Sequence, residues 1–177
     1  PLAIMLDWSF GSFSKAAGIQ GGKDLMFDTV ASLLKEKKSS KSVSVAPDST
    51  LTEAVRTMND EKIGAVLVLD QQELVGIFTE RDVLVRVVGG ARDPLTTRVS
   101  EVMTSAVSTV EPATPVEAAL KSMSDRRHRH LPVQENGQVC GLISMGDVTR
   151  WVIRSQAEQV NLAIGAVKQM SHSNRRG

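Results

Sequence analysis

The chain is poor in aromatic residues and almost without cysteine: it has no Tyr, Phe 4, Trp 2 and one thiol, Cys140. A lone cysteine can form no internal disulfide and can supply no Cys-rich zinc cluster, which fits a reducing compartment, with the cytoplasm as the expected one. So few rings leave little to stack on bases, which argues against single-strand or RNA binding. No apolar run approaches the length of a spanning helix, so a membrane role is not expected. Neither charge sign dominates, at 21 basic against 20 acidic residues and a net charge of +1, so there is no field for general nucleic-acid attraction. What is present is an ordinary soluble composition, 41% apolar and 23% charged over 177 residues, enough for a real core.

The ends differ from the body. Residues 1–26 open on an apolar stretch, Leu2 to Leu6, and run into Gly/Ser-rich sequence ending at Gly21-Gly22. The first lysine is Lys15, so the positive residue that precedes a secretory signal's apolar run is missing. This segment reads as peripheral or vector-derived. At the other end, Arg154 to Met170 continues a helical pattern with Val160, Ile164 and Val167 on one face, and Ser171 to Gly177 reads as a frayed polar tail.

Between the ends lies a repeat. Sliding the chain on itself by 65 residues sets Val45–Val88 against Val110–Ile153 without a gap, with identities that include Pro47/Pro112, Ala54/Ala119, Met58/Met123, Gly76/Gly141 and Asp82/Asp147. Upstream, Val30-Ala-Ser-Leu33-Leu34 resembles Val99-Ser-Glu-Val102-Met103 at a different spacing. Each copy predicts a short strand (Val43, Val45; Val107, Val110) and a helix capped at Ser49 or Thr50 and at Thr114, with Glu53 and Glu117 placed for capping boxes. The helical stripes are Leu51, Ala54, Val55, Met58 and Val116, Ala119, Leu120, Met123. Two strands follow in each copy, around Gln71-Gln72 and around the hairpin signal Asn136-Gly137. A second helix starts near Asp82 or Asp147, and the first copy's should end at Gly89-Gly90 on a left-handed cap. The unit is β-α-β-β-α, twice, in an α/β (α+β) fold. One copy is too small to bury its sheet face alone, so the two should pack about a pseudo-twofold axis. The expected divisions are 1–26, 27–92 for the first repeat, 93–156 for the second, and 157–177 for a terminal helix and tail.

The repeated segment with chemistry in it is Gly76-Ile-Phe-Thr79-Glu-Arg81-Asp82, matched by Gly141-Leu-Ile-Ser144-Met-Gly146-Asp147. At a strand-to-helix junction, a hydroxyl and free helix N–H groups can receive a phosphate, and a carboxylate can accept two hydrogen bonds from ribose hydroxyls. The same residues can equally be helix caps, with the aspartates favouring the helix dipole. Recurrence at the same place in both halves favours the site.

With these motifs the chain resembles a stand-alone tandem pair of CBS domains, a Bateman module, from Val30 to about Gln156. Val102-Met103-Thr104 and Arg129-His130-Leu131-Pro132-Val133 add to the likeness. The resemblance implies a regulatory module binding adenosyl ligands (AMP, ADP, ATP or an NAD-like molecule) in two related clefts. Asp82 with Thr79 would mark one and Asp147 with Ser144 the other. Arg129 and His130 would reach a phosphate in the Asp82 cleft, and Arg81 one in the Asp147 cleft. Where the second copy has His128-Arg129-His130 the first has Ile63-Gly64-Ala65, so the clefts should differ in phosphate binding. Arg126, Arg127 and Arg129 can alternatively form a solvated edge.

Other chemistry is thinly represented. His128 and His130 point to one face of a strand with no third ligand in view, so no metal is expected. No phosphate loop, nucleophile elbow or zinc-protease helix occurs, and the aspartates have no nucleophile or base beside them, so no catalysis and no catalytic cofactor are expected. The leading expectation is an adenine-nucleotide sensor acting on an unknown regulated protein, and a homodimer is expected as well, formed through the second helices of each copy, which carry Val83, Val87, Val148 and Val152. The alternatives are a structural dimerisation module with vestigial clefts and, least favoured, a nucleic-acid contact through Lys35–Lys41 and Arg126–Arg129.

Overall fold

The structure is a computed structural model, described here for residues 28–37 and 42–173. The segment 1–26, most of the basic stretch Lys35–Lys41 and residues 174–177 lie outside the described residues. Met26–Ile153 forms one compact unit. Its elements are α1 (Val30–Glu36), β1 (Ser44–Val45), α2 (Leu51–Glu61), β2 (Ala65–Asp70), β3 (Glu73–Thr79), α3 (Glu80–Asp82) running into a π-helical stretch Val83–Val88, a 3-10 turn Val99–Glu101, α4 (Val116–Arg126), β4 (His130–Glu135), β5 (Gln138–Ser144) and the start of α5 (Met145–Ser173). The remainder of α5 belongs to a second unit, where Val160 and Ile164 are exposed. The helix reaches Ser173, so Ser171 to Ser173 are helical rather than a frayed tail.

The local signals act as capping chemistry predicts at the first copy. Thr50 caps α2 in a full capping box with Glu53. The second copy departs: α4 begins after Pro115 with no side-chain cap, because the Thr114 hydroxyl accepts the Glu111 N–H instead. The N–H of Val116, which has no partner within the helix, is satisfied by the Asp28 carbonyl, 3.0 Å away. Both helices end on a left-handed residue, Lys62 and Arg127, each with φ 55°. The expected stripes are buried on both, with Leu51, Ala54, Val116, Ala119 and Met123 fully enclosed.

β2 pairs antiparallel with β3, and β4 with β5, each with a register shift at the equivalent point, after Val68 and after Val133. β1 adds to β2 in parallel. In the second copy the corresponding strand is reduced to one bridge, Val110 to Val133. The reason is a single residue. The Leu67 N–H donates to the Val43 carbonyl at 3.1 Å, and its equivalent is Pro132, which has no N–H to give.

The two cores exchange their leading segments. Val30 and Leu33 of α1 pack in the core of the second repeat, with Val116, Leu131 and Val148, whereas Val99 and Val102 pack in the core of the first, with Leu51, Val68 and Phe78. The backbone repeats the arrangement: Val30 N–H donates to Thr114 O at 2.9 Å, and Val99 N–H to Ser49 O at 2.9 Å. A division at 92/93 therefore follows the chain order but not the cores. Two glycines record the close approach. A Cβ on Gly141 would lie 2.8 Å from the Leu34 side chain, and one on Gly76 would collide with Met103. The result is an α+β pair of β-α-β-β-α repeats about an approximate twofold axis.

The first copy's second helix differs from the expected ending. Gly89 is right-handed, and the left-handed residue is Ala91, with φ 49°. The π-helical stretch, closed by Gly89 N–H to Leu84 O at 3.0 Å, brings the chain so close to itself that a Cβ on Gly89 would sit 2.6 Å from Val85 O. Gly89 is thus required for space, not for handedness.

Candidate functional site

Each strand-to-helix junction holds a hydroxyl–carboxylate pair. Asp82 Oδ2 accepts from Thr79 N at 2.9 Å and Thr79 Oγ1 at 2.7 Å, and Thr79 Oγ1 accepts in return from Asp82 N at 3.3 Å. Asp147 Oδ2 does the same with Ser144, at 2.9 and 2.8 Å, with the return bond at 3.2 Å. Both aspartates are therefore caps. That role uses mainly one oxygen of each carboxylate, and a carboxylate has about four lone-pair sites.

A cleft of about 280 Å³ opens beside Asp82, lined by Ile77, Thr79 and Asp82 from the first repeat and by Ala106, Arg129 and His130 from the second. Arg81, Arg86, Arg127 and His128 also line it. The cleft beside Asp147, about 350 Å³, is lined by Leu142, Ser144 and Asp147 and, from the other side, by Lys37, Val43, Gly64 and Ala65. His130 lies between, on the walls of both. Gly64 and Ala65 stand where the first cleft has Arg129 and His130, so the clefts carry different cations: Arg81, Arg86, Arg127 and Arg129 line the first, and Lys37 and Lys62 the second.

Arg86 Nη1 lies 3.3 Å from Asp82 Oδ1, but the same nitrogen donates to the carbonyls of Val102 and Met103 at 2.7 Å each. Asp147 is more fully engaged: Arg150 Nη2 meets Oδ1 at 2.6 Å, and Lys37 Nζ meets Oδ2 at 3.0 Å. Burial opposes ionisation of Asp147, but the hydrogen bonds from Ser144 and the Lys37 ammonium outweigh it and hold the carboxyl below its usual range. Burial, joined by the Arg129 and Lys37 charges, lowers His130 below its ordinary value of 6.5 despite the opposing pull of Glu80 and Asp147. Among the described residues no group of three or more His, Cys, Asp or Glu is placed to hold a metal ion.

The CBS-domain family model matches residues 30–89 and 99–154. The chain belongs to the CBS-domain family. It is 35% identical over 140 residues to the CBS domain-containing protein CBSX3, mitochondrial, of Arabidopsis thaliana, covering 75% of this chain and 68% of that one. A CBS-domain structure from Burkholderia ambifaria MC40-6 superposes with a TM-score of 0.70 at 39% identity, covering 73% of this chain and 96% of the other. The hexameric CBS-CP12 protein of bloom-forming cyanobacteria matches at 27% identity and a TM-score of 0.62, covering 70% and 71%. The matched family is a regulatory module, and no enzymatic family is indicated.

In this CBS pair, Thr79, Asp82, Arg129 and His130 share the Asp82 cleft, and Ser144 and Asp147 share the other. Arg81 is a correction: it lines the Asp82 cleft, because it follows Thr79 on the same helix start and its backbone carries it to its own side. Arg126 lies off the cleft walls and donates to Ser108 Oγ at 2.9 Å. Sequence reading missed Arg86, Arg150 and Lys37. The first two were open to it, being four and three residues beyond the aspartates on a helix, where side chains meet. Lys37 had no such signal, since 110 residues separate it from Asp147. The four valines expected at an intermolecular face are taken up elsewhere: Val87 and Val148 are buried, and Val83 and Val152 pack on the cores. On the second helix of each repeat within the Met26–Ile153 unit, the exposed apolar residues are instead Leu84, Val85, Val88 and Ile153. Among the described residues no helix is long and apolar enough to cross a membrane.

Proposed function

We propose that this CBS pair is a non-catalytic sensor that binds an adenine nucleotide (AMP, ADP, ATP or an NAD-like ligand) in the Asp82 cleft and signals through its packing and assembly. The observation that carries the reading is the meeting of a hydroxyl–carboxylate pair from one repeat with Arg129 and His130 from the other, in one cleft. A ribose can be held by Asp82 and Thr79 while its phosphate meets the cations, so ligand would bridge the repeats. Bridging couples occupancy to the relation between the copies, which is what a regulated partner would sense. The working unit is 27–156. A homodimer through Leu84, Val88 and Ile153 would bury these three exposed apolar side chains. Cys140 is a free, exposed thiol, which supports a reducing compartment such as the cytoplasm.

A second reading, a dimerisation module with vestigial clefts, draws on the capping boxes, since they give both aspartates a purely structural task. A thermal-shift screen with AMP, ADP, ATP, NAD, NADH and S-adenosylmethionine separates the two, because a ligand that binds the native state raises its melting temperature by mass action. The sensor reading expects a concentration-dependent rise with at least one of the six. No rise with any of them favours the vestigial reading.

A further inference from the structure

The two clefts differ in what already fills them. Lys37 follows α1, and its ammonium makes two hydrogen bonds inside the second cleft, to Asp147 Oδ2 at 3.0 Å and to the Leu142 carbonyl at 2.9 Å. The equivalent carbonyl in the first repeat, that of Ile77, is satisfied by the backbone instead, from Thr104 N at 2.9 Å. Lys37 thus takes over a strand-edge bond and reaches the carboxylate as well. With Ser144 N, Ser144 Oγ, Lys37 and Arg150 all donating to it, Asp147 has four donors on its two oxygens. Among the described residues Asp82 has no equivalent of Lys37, and its Arg86 contact at 3.3 Å comes from a nitrogen already given to two carbonyls. A ribose hydroxyl is neutral, so displacing an ammonium from a carboxylate exchanges a charge-assisted bond for a weaker one. The Asp147 side chain is 11% exposed and that of Lys37 28%, so water screens the pair only in part.

We propose that Lys37 is a built-in plug of the Asp147 cleft, so that the native chain takes an adenine nucleotide only at Asp82. This rests on reading the clefts as nucleotide sites. The plug is the residue that closes α1, so it ties the end of that helix to the second repeat for as long as the cleft is closed.

Calorimetric titration of the full chain with AMP counts the sites. The wild type is expected to take one AMP, Lys37→Ala two, and Lys37→Arg, which keeps a cation within reach, one. Asp82→Ala should weaken the single wild-type site by about one to two decades in Kd and leave one site at full strength in the Lys37→Ala background. Lys37→Gln, which drops the charge but keeps a donor for Leu142, replaces the alanine variant if a thermal melt shows that the latter does not fold. Two sites in the wild type, or one site both in the wild type and in a folded charge-free variant, overturn the plug and leave the nucleotide reading standing. Absence of AMP binding in every protein overturns both. One site in Lys37→Ala and none in the wild type supports the plug and removes only the Asp82 assignment.

Discussion

At the scale of the residue, the cation pair Arg129 and His130 decides what the Asp82 cleft can distinguish. Replacing both with Gly and Ala, the residues found at 64 and 65, should weaken AMP far more than adenosine, because ribose and adenine contacts stay in place. Equal losses for the two ligands in competition titrations would remove phosphate from the account. His130 adds a sign. Its value in the free protein is lowered, chiefly by burial, and a bound phosphate favours the charged ring, so binding takes up a proton between the two values. AMP affinity should fall as pH rises through that window, which begins below 6.5. Phosphate ionisation contributes its own pH dependence, so the measurement is the difference between wild type and His130→Gln. A difference that is flat with pH would sink the assignment. For stability, the lowered His130 value favours the neutral ring, a contribution present above about 6.5 and lost as pH falls through the folded value. Asp147 runs the same way at lower pH: its contribution is present above 3.8 and lost as pH falls through its depressed folded value.

At the scale of the element, the two hairpins give an internal comparison. Gln71 and Gln72 hold φ of 48° and 74°, and their equivalents Asn136 and Gly137 hold 51° and 81°. The turns are alike, but only the second has the residues that the left-handed region favours. Gln72→Gly should therefore stabilise the fold by about 0.5–1 kcal/mol, the left-handed cost relieved less the glycine's greater chain entropy. Denaturant unfolding checks this, and a loss of stability would mean that the Gln72 side chain matters more than its backbone. The repeat was legible because identities recur at one fixed offset, and the stripes and the second hairpin because each is set by residues close together in the chain. The Thr114 cap was not: Pro115 moves the helix start by one residue, and the Val116 N–H finds its partner in Asp28, far away in sequence. The missing strand at 107–110 could have been read from Pro132, but only once that residue was placed against the Leu67 ladder bond.

At the scale of the whole molecule, the exchange of leading segments and the Lys37–Asp147 pair were beyond local reading, since both join residues that only the tertiary fold brings together. The same fold leaves Leu84 67% exposed, Val88 67% and Ile153 63%, on the second helix of each repeat. If these form the dimer face, light scattering should give a dimer for the wild type and a monomer for Leu84→Glu with Ile153→Glu. An unchanged mass for the double variant would place the interface elsewhere. The central claim is that the Asp82 cleft holds an adenine nucleotide between the repeats. Its most direct measurement is calorimetric titration of AMP into the wild type and Asp82→Ala. The account predicts that losing this acceptor costs about 1.5–3 kcal/mol, or about one to two decades in Kd, whereas AMP binding as tight in Asp82→Ala as in the wild type would contradict it.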